Sequence, residues 1–215
     1  KFTVDVTAVN DTPVVNAAEY DINEDASLQT KLKTNLASDV DIITNADAIT
    51  LSITSPASHG TAAIDANGNV TYIPTKDFNG TDSFEYTATD KAGAHASKTL
   101  TFHVAQVNDA PVTTNDTENT TEDNAVVIPV LNNDTDIDKN TSLNAYPLAE
   151  VLSVLIGAGE TDLVTPSHGT ITTDGTTITY TPAADYNGTD IFDYYCYDGE
   201  AKTKGTVKVT IKQVN

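Results

Sequence analysis

The sequence predicts an all-β protein built from two tandem immunoglobulin-like β-sandwich modules, and three observations predict it. The same words recur in the same order in the two halves of the 215 residues. Short runs alternate between apolar and polar side chains, the period of half-buried strands. Asn-Gly and Asp-Gly pairs separate those runs and supply the positive φ that tight turns need. About 100 residues of short strands per repeat is the size of such a sandwich.

The repeat is read most directly from its marks. Val9-Asn10-Asp11-Thr12-Pro13 returns as Val107-Asn108-Asp109-Ala110-Pro111, and the chain ends on Val214-Asn215. Glu24-Asp25 answers to Glu122-Asp123, Asp39-Val40-Asp41 to Asp134-Thr135-Asp136, and Ser58-His59-Gly60-Thr61 to Ser167-His168-Gly169-Thr170. A long match follows: Tyr72-Ile73-Pro74 and Asp77-Phe78-Asn79-Gly80-Thr81-Asp82 against Tyr180-Thr181-Pro182 and Asp185-Tyr186-Asn187-Gly188-Thr189-Asp190. The modules are therefore placed at 12–109 and 110–215. Residues 1–11, opening on the alternating Lys1-Phe2-Thr3-Val4-Asp5-Val6, read as the end of a preceding module and its linker, within a longer chain.

Strands are expected in module 1 at Leu51–Ile53, Val70–Ile73, Phe84–Ala88 and Leu100–Val104, where Thr, Val and aromatic residues suit a pleated surface. Asn67-Gly68, Asn79-Gly80 and Asp174-Gly175 mark turns. Module 2 carries an apolar insertion, 143–163, whose Ala149–Ile156 shows the one stretch of helix-like spacing. Such an insertion is expected to pack on its own module, covering a sheet edge or lengthening a hairpin.

Acidic residues number 31 against 11 basic ones, a formal charge of -20. Phosphates would be repelled, so nucleic acid is not an expected partner, nor is direct membrane insertion. No apolar run approaches the ~20 residues a spanning helix needs. With a single cysteine, stability must come from packing or a metal and not from a disulfide framework.

The order of these words, V-N-D-x-P, E-D, D-x-D, S-H-G-T and Y-x-P-x-x-D-[FY]-N-G-x-D with a closing Asp, resembles the cadherin-like tandem repeats of large bacterial surface adhesins, of the biofilm-associated and repeats-in-toxin kinds. The resemblance covers nearly all of both modules. It implies cadherin-type sandwiches strung end to end, an extracellular location at the bacterial cell surface, and Ca²⁺ at the junctions between neighbouring modules of one long chain.

The residue chemistry points the same way. Ca²⁺ takes six to eight oxygens at about 2.3–2.6 Å, and the repeated words place Asp, Asn and Glu in loops between strands. Two carboxylates about 4 Å apart repel by roughly 4 kcal/mol at an effective dielectric of 20, so a fold that gathers several gains from a cation among them. Turn formation alone accounts for Asn79-Gly80 but not for acids recurring in register, as Asp39/Asp41 and Asp134/Asp136 do. By the family analogy, the central junction would draw on Glu24, Asp77 and Asp82 of module 1, on Asn108 and Asp109 of the linker, and on Asp134, Asp136, Asp138 and Asp198 of module 2. Asn10, Asp11, Asp39, Asp41 and Asp90 would face a neighbour before module 1. Glu122 and Asp190, with Asn215, would hold half of a later site. Asp134, Asp136 and Asp138 have the opening spacing of an EF-hand, but Lys139 and Ala145 stand where that loop needs Gly and Glu.

Other features have plainer readings. His59 and His168 lie at matched sites before Gly-Thr and read as turn residues entering a strand. Cys196 aligns with Ala88 on the inward face and reads as core. Tyr195 and Tyr197 point outward, either as a sugar- or protein-binding platform or as residues covered by the insertion. No nucleophilic triad, phosphate loop or zinc spacing is present, so the chain is not read as an enzyme. The function this implies is a calcium-binding extender segment of a bacterial adhesin. The alternative is a carbohydrate-binding or homophilic cell–cell adhesion module, with polysaccharide or like modules on other cells as partners.

Overall fold

The computed structural model describes residues 9–31, 36–40, 49–138, 151–157, 159, 160 and 162–214. Among the predicted site residues Asp41 lies outside them, as do Asn215 and the segment 1–8 expected to end a preceding module. Two compact units divide the chain, Lys1–Val107 and Asn108–Asn215. The boundary falls two residues before the expected one because Asn108 and Asp109 are hydrogen-bonded into the second unit, to Asp198 and Asp138.

Among its described residues the first unit contains β1 (Val14–Val15), β2 (Ala18–Asn23), β3 (Leu28–Lys31), β4 (Ala37–Ser38), β5 (Thr50–Ser55), β6 (Gly60–Ile64), β7 (Asn69–Pro74), β8 (Gly80–Thr89) and β9 (His95–Ala105). One sheet runs β2-β9-β8-β5, a second runs β3-β7-β6, and β1 pairs with β4. The sheets enclose an apolar core. In β8 the side chains of Asp82, Phe84, Tyr86 and Ala88 are buried while Thr81 and Ser83 are exposed, the period of two that the sequence displays. Strand β2 lies parallel to β9, with Ala18 opposite Leu100 and Asn23 opposite Ala105. The first strand of the larger sheet is thus bonded directly to the last.

The second unit repeats this plan with β10 (Asp116–Thr121), β11 (Val126–Ile128), β12 (Ser153–Leu155), β13 (Gly169–Thr173), β14 (Ile178–Pro182), β15 (Gly188–Tyr197) and β16 (Lys202–Lys212). Its sheets are β10-β16-β15-β12 and β11-β14-β13, and a bridge between Val112 and Thr135 stands where β1 meets β4. Tyr180, Phe192, Tyr194 and Cys196 are fully buried in the second core, as Tyr72, Phe84, Tyr86 and Ala88 are in the first.

Matched tyrosines require matched glycines. A Cβ on Gly60 would lie 2.5 Å from the ring of Tyr72, and one on Gly169 would lie 2.6 Å from that of Tyr180. The Gly of each Ser-His-Gly-Thr word is therefore set by a tyrosine in the neighbouring strand. The histidines act as expected of turn residues: His59 stacks on Phe78 at 4.3 Å between centroids, and His168 on Tyr186 at 4.1 Å.

The helix-like spacing at Ala149–Ile156 does not produce a helix in its described part. Ser153–Leu155 forms an edge strand in which Val154 pairs with Cys196, the place Leu51 of β5 takes opposite Ala88. Burial of Leu152 and Val154 in the core outweighs the local spacing. The chain then returns over the outer face of the sheet: Val164 exchanges bonds with Asp193, and the Tyr195 hydroxyl donates to Asp162 at 2.6 Å. Tyr195 is consequently buried, which overturns the reading of Tyr195 as an open aromatic platform.

Candidate metal centres

Strand register defines two ends in each unit. In unit 1, Gly80 faces Val104 at one end of the β8–β9 pair and Thr89 faces His95 at the other, ~30 Å apart by the rise of a strand. In unit 2, Gly188 faces Ile211 at one end and Tyr197 faces Lys202 at the other. Among the described residues, the predicted acids fall towards these ends and not along the faces.

At the Tyr197–Lys202 end of unit 2, Asn108 donates its side-chain N–H groups to Asp198 Oδ2 at 3.2 Å and to the Asp109 carbonyl at 3.1 Å. Asp198 Oδ1 accepts the N–H groups of Glu200 and Ala201, both at 2.6 Å. The Asp109 N–H donates to Asp138 Oδ2 at 2.7 Å, and the Asp138 N–H to Asp136 Oδ1 at 2.9 Å. Carboxylate oxygens of Asp109 and Asp138 lie within 4.8 Å of one another. Asp138 and Asp198 are buried. The Asn108 side-chain oxygen is buried and, among the described residues, accepts no hydrogen bond. A buried oxygen of this kind calls for a donor or a cation.

The equivalent end of unit 1 is built alike. Asn10 donates to Asp90 Oδ2 at 2.7 Å and to the Asp11 carbonyl at 3.1 Å, and Ala94 N–H donates to Asp90 Oδ1 at 2.9 Å. The Asn10 amide, followed by backbone N–H groups, holds the Asp90 carboxyl below its ordinary range. Asp39, the residue after β4, is buried. The oxygens named at these ends come from carboxylates, an amide or backbone. That is the donor set of a hard cation.

The opposite ends carry a second matched set. Glu24, 2% exposed, accepts the Val107 N–H at 2.7 Å, while its own N–H donates to the Ala105 carbonyl. Glu122 does the same with the Val214 N–H at 2.8 Å and the Lys212 carbonyl. Beside them Asp25, Asp77, Asp123 and Asp185 all adopt left-handed backbone, with φ of 60°, 58°, 64° and 60°. Carboxylate oxygens of Asp25 and Asp77 lie within 4.8 Å, Asp77 also meets Lys76 Nζ at 2.5 Å, and the Asp185 N–H donates to Asp123 Oδ1 at 3.2 Å. Sequence reasoning singled out Asp77 and missed Asp25, Asp123 and Asp185. The recurrence of Glu-Asp was visible, and Asp is among the few side chains that tolerate this conformation.

Three expected ligands have other work. Asp82 Oδ1 accepts the N–H groups of Ser58 and Ser83, and Oδ2 accepts the His59 N–H and the Tyr72 hydroxyl, all within 3.0 Å. Burial alone would raise its pKa, but these donors outweigh it and hold the carboxyl below the ordinary value. Asp190 is bonded identically by Ser167, His168, Tyr180 and Ile191. Four donors occupy the four lone-pair directions of a carboxylate, so each of these residues pins the His-Gly turn of its unit. Asp134 likewise accepts the Thr114 N–H at 2.9 Å and the Tyr194 hydroxyl at 2.8 Å, which ties it to the core.

A family model for the bacterial cadherin-like domain matches residues 10–106 and 108–213. The chain belongs to that family. Among solved structures, this cadherin-like chain is similar to human CDH23 EC21-23 (15% identity, TM-score 0.57, covering 95% of this chain and 70% of that one). It is also similar to mouse Cadherin-23 EC22-24 (19%, 0.55, 94% and 65%) and to Protocadherin Gamma B7 extracellular cadherin domains 1-4 (18%, 0.55, 94% and 51%). The chain spans less than two thirds of the length of the latter two solved chains. Among curated proteins, none matches it. The family matched is one of extracellular, adhesion-related modules. No helix among the described residues is long and apolar enough to cross a membrane.

Proposed function

We propose that the chain is a calcium-binding extender segment of a bacterial cell-surface adhesin, in which Ca²⁺ stiffens the joint between consecutive modules. The observation that carries this reading is the twinned Asn–Asp construction: Asn10 on Asp90 and Asn108 on Asp198, each with an Asp next in the chain. Asn108, Asp109, Asp136, Asp138 and Asp198 would supply oxygens from module 2, and Glu24, Asp25 and Asp77 those from module 1. Val107 and Asn108 are consecutive; the N–H of one is held by Glu24, and the side chain of the other by Asp198. A cation drawing on both sets would brace the peptide bond that links the modules. Glu122, Asp123 and Asp185 would offer the same to a following module.

Calcium at extracellular concentrations, about 1 mM, suits the weak affinity of such modules, ~10⁻⁴–10⁻³ M. An ion that binds only the folded chain raises its melting temperature by mass action. Thermal melting during a Ca²⁺ titration, followed by small-angle scattering with and without chelator, tests the proposal. Expected are a calcium-dependent rise in melting temperature that Asp136→Asn/Asp138→Asn abolishes, and a larger maximum dimension with calcium. A melting curve indifferent to calcium would remove the ion from the proposal; an unchanged maximum dimension would remove the stiffening.

A further inference from the structure

The chain's few cations are unevenly placed. Strand β16 carries Lys202, Lys204, Lys208 and Lys212, four of the 11 basic residues of a chain with net charge -20, and no Asp or Glu lies between Lys202 and Lys212. All four are exposed, and the buried Gly205, Val207, Val209 and Ile211 take the other face. Lysines on an edge strand commonly serve to block pairing with another chain. That does not apply here, because β16 is bonded on both sides, to β10 and β15.

Half of this stripe is already in use. Lys202 Nζ meets Glu160 at 2.6 Å, and Lys204 Nζ meets the Asp162 carboxylate at 3.5 Å and its carbonyl at 2.9 Å. Two acids two residues apart in the loop are matched to two lysines two residues apart in the strand. Lys208 and Lys212 continue the stripe and, among the described residues, have no carboxylate within 4.0 Å. Their cross-strand neighbours are uncharged: Thr117 and Ile191 beside Lys208, and Thr121 beside Lys212. Ile191 is 47% exposed.

We propose that the open half of the stripe, Lys208 and Lys212 with Ile191, Thr117 and Thr121, docks an extended acidic polypeptide segment of a partner protein. Charge complementarity argues for it, and the loop carrying Glu160 and Asp162 shows within this unit how such a segment lies against the same strand. Lys212 and Thr121 adjoin Glu122, whose N–H donates to the Lys212 carbonyl, so the face is tested without calcium.

The test is fluorescence anisotropy of a labelled peptide of alternating Glu and Ser against the whole chain, in chelator so that no cation bridges carboxylates. Saturable binding that weakens with salt is expected. It should fall about tenfold or more in Lys208→Glu/Lys212→Glu and stay unchanged in Lys91→Glu/Lys98→Glu, the same charge change in unit 1. If the first variant does not melt as the parent chain does, Lys208→Gln/Lys212→Gln replaces it. No binding at low ionic strength, or equal loss in both variants, would overturn the proposal. So would tighter binding of polygalacturonate than of the peptide, or Lys208-dependent self-association in sedimentation, which would assign the face to a polysaccharide or to a second copy.

Discussion

Asp82 and Asp190 look in the sequence like their fellow acids, yet each is bonded by three backbone N–H groups and a tyrosine. Removing such a carboxylate leaves buried donors unpaired, each costing about 1–3 kcal/mol. Asp82→Ala should therefore destabilise unit 1 by about 3 kcal/mol or more in chemical denaturation, with or without calcium. A loss seen only with calcium present would return Asp82 to the ligand set. Asp116 behaves differently: burial, with the nearby Asp134 charge adding to it, raises its carboxyl to about 6 despite the Tyr194 hydroxyl. Its protonated form is favoured by folding, so its contribution is complete below the unfolded pKa near 4 and is lost as pH rises through about 6. In chelator, the melting temperature of Asp116→Asn relative to the parent should therefore climb between pH 4 and pH 7. A constant difference would show that the group does not titrate in that window. Neither role was legible beforehand, because the identity of an acid says nothing of the donors that converge on it.

At the scale of elements, four strands of unit 1 were legible, since alternation and turn residues agreed along β5, β7, β8 and β9. Gly68, Gly80 and Gly175 do take positive φ, as the Asn-Gly and Asp-Gly pairs implied. The insertion was half legible. The packing of its described part on its own module followed from its apolar content, but β12 was hidden behind a helix-like spacing that long-range pairing with β15 overrides. Among the described residues, the loop back over Tyr195 is held by its ion pairs to Lys202 and Lys204 and by the bond to Asp162 that pushes the tyrosine up to about 12. Tyr195→Phe should lower the denaturant midpoint of unit 2 and release Lys202 and Lys204 to faster chemical acetylation. Unchanged acetylation would mean that the ion pairs alone anchor the loop.

For the whole molecule, the repeat in the sequence carried most of the information: two units, two cores and acids at both ends of each. Where a ligand set ends and a structural carboxylate begins did not follow from recurrence, because both recur. The pairing of β2 with β9, and of β10 with β16, bears on a chain that is pulled. Tension entering at one terminus and leaving at the other, once past the short β1–β4 pairing, loads the two parallel strands in opposite directions along their length. Their ladder bonds then share the load in shear and must break together, where a hairpin would unzip bond by bond. A tether made of such modules resists detachment through its hydrogen-bonding direction, and each module adds its own clasp.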